Sequence, residues 1–187
     1  MQDLVVVDIS KLRLAQAATD GPWKPGSISP VIHHVIRLEP SGRAVGTNRI
    51  TMVVADLTVE PFDGEPIYII PESTIPKAAK TAKIEGHTLV TDKGNVALRW
   101  ITETSYPPLT PYYNYETALE RVSRGDLYPR GDYGWNHREL DKLVKAHPTW
   151  PKEPYFRLRH LSDMSVQIEM EMEGVTALLS LAGKAHR

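Results

Sequence analysis

The stretch "STIPKAAKTAK", Ser73–Lys83, follows the apolar run "IYII" and carries three lysines spaced three residues apart, with alanines between them. At about 100° per residue around a helix, Lys77, Lys80 and Lys83 fall within a sector of about 120° on one side. Ile75, Ala78, Ala79 and Ala82 fall on the other. Pro76 sits in the first turn, where a missing N–H does little harm. The spacing predicts an amphipathic helix with a small-residue inner face and a purely basic outer face. An ordinary solvated face is the competing reading. Surface helices usually mix signs, because opposite charges at i,i+4 support each other, and this segment has no acid on its basic side.

A second segment, "NHRELDKLVKA", repeats the pattern. Asn136 is its cap and His147-Pro148 its stop. Leu140, Leu143 and Val144 form its apolar face, and Arg138, Lys142 and Lys145 lie within about 60° opposite them. A shift of 65 residues places Ile75 on Leu140, Lys77 on Lys142 and Lys80 on Lys145. Strand-rich sequence follows both, which reads as a weak internal repeat of a helix-plus-strands unit. The helix expected from "SKLRLAQAATD", capped by Asp8 or Ser10 and ended by Gly21-Pro22, fits less well. Its Lys11 and Arg13 fall on different sides of the wheel.

The remaining segments read mostly as antiparallel strands. "DLVVVDI", the β-branched "VIHHVIRLEP", "RAVGTNRITMVVADLTVEP" as one or two strands, and "IYII" come first. "IEGHTLVTDKGNVALRWITE" reads as two strands about a Lys93-Gly94-Asn95 turn. "SYPPLTPYYNY" is a linker or domain edge, "ETALERVSR" a short helix, and "RGDLYPRGDYG" loop. "YFRLRHL", "SVQIEMEME" and "TALLSLAG" close the chain as three strands, with a turn at Glu173-Gly174. The expected class is α+β.

The chain has 187 residues, a net charge of −1 and 41% hydrophobic residues, enough for a sizeable core and unlike a disordered chain. It has no cysteine, which excludes disulfides and thiolate metal sites. A cytoplasmic location is expected. No apolar run approaches the roughly 20 residues that span a bilayer, and the start "MQDLVVVDIS" lacks a basic region, so it is not a signal peptide. Near-zero charge argues against bulk binding of nucleic acid but allows a local basic surface. The acid lies elsewhere: Glu60, Asp63 and Glu65 in one loop, and Glu169, Glu171 and Glu173 alternating along a strand. Basic helices on one side and acidic strands on the other suit a polyanion held without sequence readout.

The order of these elements resembles the DNA polymerase sliding clamp, the bacterial β-clamp family. "SPVIHHVIRLEPSGRAVGTNRITM" is similar to that family's early strand, turn and strand, with Gly46-Thr47-Asn48 in place of an Ala-Thr-Asp-like triplet. "IYIIPESTIPKAAKTAKIEGHTLVTDKGNVALRW" is similar to the second half of a clamp domain, and "SYPPL" to the stretch that ends one. "WNHRELDKLVKA" with the strands after it resembles the last half-domain. The resemblance implies a DNA-clamp-like domain over 1–112, in two half-units at about 1–60 and 61–112, a linker over 113–132, and a half-domain over 133–187. It also implies a non-enzymatic processivity factor that encircles double-stranded DNA as a homo-oligomeric ring. Its expected partners are a DNA polymerase and a clamp loader, with no membrane and no cofactor. Lys77, Lys80, Lys83, Arg138, Lys142 and Lys145 would face the DNA, with Lys11 and Arg13 as weaker candidates. The chain is about half as long as a bacterial clamp, and "LLSLAGKAHR" lacks the family's closing motif. Both departures fit a divergent, phage-type version. The alternative is a clamp-fold module that forms no ring and binds a replication protein.

Other features point to less. His33 and His34 are adjacent on an expected strand and would face opposite ways, so a shared metal is not expected. Arg-Gly-Asp at Arg124 and Arg130 is a natural turn. His137, Asp132 and Asp141 as acid/base partners have no motif behind them, and no phosphate loop or nucleophile elbow is present. Trp100, Trp135, Trp150, Tyr112, Tyr113 and Tyr115 read as packing rather than base-stacking residues.

Overall fold

The computed structural model describes residues 3–48, 50–101, 115–124, 126–127, 133–134, 137–146, 156–160, 166–172 and 174–183. One pattern occurs three times: a strand, a crossing segment, and a three-strand meander. The first unit is β1 (Leu4–Val6), α1 (Ile9–Ala17), β2 (Ile36–Leu38), β3 (Ala44–Thr47) and β4 (Thr51–Ala55). The second is β5 (Ile67–Pro71), residues 72–81, β6 (Ala82–Glu85), β7 (Thr88–Thr91) and β8 (Val96–Ile101). After α2 (Tyr115–Arg124) and β9 (Asp126–Leu127), the third is β10 (Tyr133–Gly134), α3 (His137–Ala146), β11 (Phe156–His160), β12 (Val166–Met172) and β13 (Val175–Gly183). All the described strand pairs are antiparallel, and the class is α+β.

The first two units exchange their opening strands. β1 pairs with β6, and β5 pairs with β2. The second unit's opening strand also pairs with its own last strand, β5 on β8, and β10 on β13 does the same in the third. In the first unit this contact is a bridge, Val6 to Val59, just past β4. The bridge joins the two ends of the order β1-β6-β7-β8-β5-β2-β3-β4 just past β4 and leaves the outer edge of β4 itself open. β13 then adds to the outer edge of β4 and joins the third unit to the first.

Asp8 caps α1 by accepting from the Ser10 and Lys11 amides, as one of the two expected caps. The helix buries two faces. Ile9, Leu12 and Ala15 enter the core of these eight strands. Leu14, Ala17 and Ala18 pack with Val53, Leu143 and Leu179 at the junction with the third unit. β3 passes very close beneath: a Cβ on Gly46 would stand 1.9 Å from the Ala15 carbonyl oxygen. Glycine is what lets helix and sheet meet there. On the other face of the sheet, Tyr115 and Leu119 of α2 cover Val45, Val54 and Leu178, and so straddle the β4–β13 seam. Arg43 ties this helix down, donating to Asp56 at 2.6 Å and to the Tyr115 hydroxyl at 3.3 Å.

Three expectations need correction. Residues 72–81 are not helical, and Lys83 lies on β6, so "STIPKAAKTAK" runs as a loop into a strand. The helix that partners α3 is α1, the copy that fitted the basic pattern less well. "VIHH" is a 3-10 turn rather than strand, and both His33 and His34 are buried in it. The strand and the turn expected at Glu173-Gly174 appear as β12, Gly174 and β13, with Glu173 outside the described residues. "SYPPLTPYYN" also lies outside them.

Candidate nucleic-acid interface

The loop 72–81 is exposed over most of its length but buried at Ile75 and Ala79, and it has no ladder of its own to satisfy its backbone. Side chains of α1 supply part of the answer. Arg13 Nη1 donates to the carbonyls of Pro76 at 3.0 Å and Ala79 at 3.1 Å. Gln16 works in both directions, donating from Nε2 to Ser73 O and accepting at Oε1 from Ile75 N, each at 2.9 Å. At the far end Asp92 accepts from the amides of Lys80 and Thr81, and these bonds hold its carboxyl below the usual range. Ile75 and Ala79 are buried, as the wheel required, but Ala78 is exposed. The loop thus keeps the inner face of the expected helix without its backbone.

This arrangement decides where each candidate cation points. Lys77 and Lys80 are exposed on the loop and make no ion pair among the described residues. Lys83 is committed within the molecule: Glu85 at 3.2 Å and Asp3 at 3.4 Å hold it and raise its pKa. Lys142 and Lys145 lie on α3, the first 2.8 Å from Glu139 and the second 2.5 Å from Asp141. Arg138 is exposed on the same helix. Lys11 reaches the Asp56 carbonyl at 2.9 Å. Arg13 is buried, and burial pulls its pKa below the ordinary value, with Asp8 pulling the other way. A guanidinium stays charged through such a shift. Its work is to hold the loop.

α1, α3 and the loop enclose a cleft of about 360 Å³. Arg13 and Gln16 line it from α1, Ile75 and Lys77 from the loop, and Lys142 and Lys145 from α3. Ala17 and Ala146, the last residues of the two helices, line it as well. Helix C-termini carry partial negative charge, which steadies lysines placed beside them. The structure therefore brings the two lysine-bearing segments together, across α1 rather than as two parallel helices. The exposed i,i+4 pair Lys145–Asp141 contributes only about 0.3–0.5 kcal/mol, little against the attraction of a polyanion, whereas Lys142 rests on the buried Glu139.

A buried polar network behind the cleft holds α3 in position, and the sequence did not single it out. Glu139 is 6% exposed; it accepts from Asn48 Nδ2 at 3.0 Å and from Thr51 Oγ1 at 3.4 Å, and it pairs with Lys142 on its other oxygen. Asn48 also donates to Asp20 at 3.1 Å and accepts from the amides of Ile50 and Thr51. Asn48, the last residue of the triplet in the β3–β4 turn, is thus a hub between the first and third units. Asp20 takes a further hydrogen bond from Ser29. Capping logic offered one weak signal, a polar residue opening a tight turn before a strand.

The other candidates find structural roles or fall outside the described residues. Trp100 is half-buried and donates to Gly86 O at 2.9 Å, with His87 edge-on at 6.3 Å. Tyr115 packs under α2. Trp135, Trp150, Tyr112, Tyr113 and Asp132 lie outside. Among the described residues no group of three metal-ligating side chains converges, and no helix is long and apolar enough to cross a membrane.

No protein-family model matches the sequence, and no curated protein matches it. Solved structures do. A protein described as a DNA polymerase III beta subunit, from Eubacterium rectale, superposes with a TM-score of 0.53 at 9% identity, over 99% of this chain and 66% of its own. The DNA polymerase III beta chain of Streptococcus pneumoniae gives 0.48 at 9% identity, over 100% of this chain and 66% of that one. The DNA polymerase sliding clamp of Bacillus subtilis gives 0.47 at 9%, over 99% and 66%. The chain thus spans about two thirds of the length of each. At this identity the likeness concerns fold, and the fold is that of the sliding clamp.

Proposed function

We propose that this clamp-folded chain binds duplex DNA through the basic rim of the α1–α3 cleft, without sequence specificity, as a non-catalytic processivity factor that encircles its track as an oligomer. The observation that carries the reading is the meeting of Lys77 with Lys142 and Lys145 around one cleft. Lysine is a flexible, hydrated point charge, and loose phosphate contacts, many through water, let a protein hold a duplex and still slide. Lys80 and Arg138, exposed on the same two segments, extend the surface. Arg13 contributes by holding the loop that forms the cleft, and Lys83, on β6, does not line it. The solved structure from Eubacterium rectale that it resembles is described as a DNA polymerase III beta subunit, which supports a polymerase as a partner.

The test is retention on closed circular DNA followed by cutting of the circle. An encircling protein stays on the circle and runs off the linear form. Replacing Lys77, Lys142 and Lys145 together by glutamate is expected to abolish retention, at least tenfold per release of two phosphate contacts at moderate salt. Equal binding to both DNA forms, or none, overturns encirclement. The second reading, a clamp-folded module acting on a replication protein, is favoured if the triple variant keeps partner binding and the wild type ignores both DNA forms.

A further inference from the structure

A duplex can meet the rim of the α1–α3 cleft, but the interior is too small to admit a rod of stacked base pairs. At about 360 Å³ it has the size of a small-molecule site. Two chemistries meet there. Ala17, Pro22, Ile75 and Ala146 give an apolar wall, and the two alanines leave room between the helix ends. Arg13, Lys77, Lys142 and Lys145 bring four cations against one acid, Asp20, among the described lining residues. Asp20 is already engaged, accepting from Asn48 at 3.1 Å and from Ser29. Arg13 has more to offer than the loop consumes. Both of its bonds to the loop leave from Nη1, and its Nε–H is buried with no partner. A guanidinium carries five N–H donors. At 5% exposed, this cation stands where water screens it least. An anion in the cleft answers that unspent charge. The neutral polar groups have nothing to spare. The Gln16 amide is bonded at both ends, and the Thr19 hydroxyl donates to Gln16 O at 2.7 Å while accepting from Gly21 N at 3.1 Å.

We infer that the cleft interior binds a phosphomonoester carried on a flat apolar body, the chemistry of a nucleoside 5′-monophosphate, either free or at the 5′ end of an unpaired DNA strand. Such a phosphate is largely a dianion at neutral pH, and it lies among Lys77, Lys142 and Lys145 with Arg13 behind it. The base packs on Ile75, Pro22 and the two alanines, apolar surface against apolar surface. With Gln16 and Thr19 committed elsewhere, the base is held by contact and not by hydrogen-bond readout, so one purine serves as well as another. The site shares its lysines with the proposed duplex surface and rests on that reading for the sign of its ligand, but it needs no encirclement.

Calorimetric titration of the full chain with dAMP at low salt tests it. One dAMP per chain is expected, with a dissociation constant of about 0.1 mM. Deoxyadenosine and inorganic phosphate, each half of the ligand, are expected to bind at least about tenfold more weakly, and dGMP within about threefold of dAMP. Ala146→Phe fills the cleft and should weaken dAMP at least about tenfold. Lys77→Ala, on the exposed loop where folding is not at stake, should weaken it about fivefold. Lys93→Glu, on the exposed β7–β8 turn, should leave it unchanged. No heat of binding up to about 10 mM dAMP, phosphate alone binding as tightly as dAMP, or a site indifferent to both Ala146→Phe and Lys77→Ala overturns the inference. Competition then assigns the source, and either source supports the site. A 5′-phosphorylated single strand that displaces dAMP where its hydroxyl-ended twin does not marks a strand end, and failure of both to displace it marks the free nucleotide. A chain that binds dAMP but does not stay on circular DNA keeps the cleft site and loses encirclement alone. One that stays on the circle and ignores dAMP loses the cleft site alone.

Discussion

The first and second units thread their strands alike but fill the crossing between opening strand and meander differently. The first uses α1, a capped helix whose own backbone bonds satisfy it. The second uses ten residues, 72–81, whose carbonyls and amides are met by Arg13, Gln16 and Asp92. A helix shorter than about 12 residues is marginal by itself, so either solution depends on tertiary contacts. The difference shows that position in the fold is set by which side chains are buried, here Ile75 and Ala79, and not by backbone form.

The comparison breaks most sharply where helix and sheet touch. Gly46→Ala drives a Cβ into the Ala15 backbone and must separate α1 from β3. We expect a loss of about 3 kcal/mol in urea unfolding, with both α1 faces disturbed. Arg13→Ala leaves the carbonyls of Pro76 and Ala79 without their charged donor. It is expected to cost about 2 kcal/mol and to speed amide exchange across 72–81 well before that of the strands. Arg13→Lys restores only part, since one ammonium cannot copy the guanidinium fork. Glu139→Gln, at the network behind the third unit, is expected to cost about 1 kcal/mol and to loosen α3 and β13 first, read by limited proteolysis.

The smallest effect is a dependence on acid. Burial pushes the Asp8 carboxyl up, but hydrogen bonds from the Ser10 side chain and the Lys11 and Ser10 amides outweigh it and leave the pKa below the usual value. Asp92 is lowered by the amides of Lys80 and Thr81. A carboxylate with a depressed folded pKa contributes stability that is full above its unfolded pKa, about 4, and is lost as pH falls through the folded value. Stability is therefore expected to fall below about pH 4, and Asp8→Asn and Asp92→Asn should each flatten that fall.

Much of the fold was legible because strands announce themselves. β-branched runs and glycine turns located most of the meanders, and the Asp8 cap and the Leu140–Leu143 face located α1 and α3. The error at 73–83 has a physical source. Alanine and lysine favour helix, and their spacing fits one, yet Ile75 precedes a proline, which disfavours the helical region for it. What settled the matter lies 57 to 66 residues away in Arg13 and Gln16, beyond any local pattern. The basic residues were legible as a sequence pattern, but what each one touches was not. Lys77, Lys142 and Lys145 share the cleft, while Lys83 is held by Asp3, a partner 80 positions earlier. The Asn48–Glu139 hub was illegible for the same reason.

The debt of the second unit to α1 bears on how such a chain can be rearranged. A segment that borrows its hydrogen bonds from a neighbour's helix cannot be excised, duplicated or transplanted without that neighbour. The third unit carries its own helix and meets the first along the β4–β13 seam, the α1–α3 packing and one polar hub. In recombination the first two units travel as a single indivisible block.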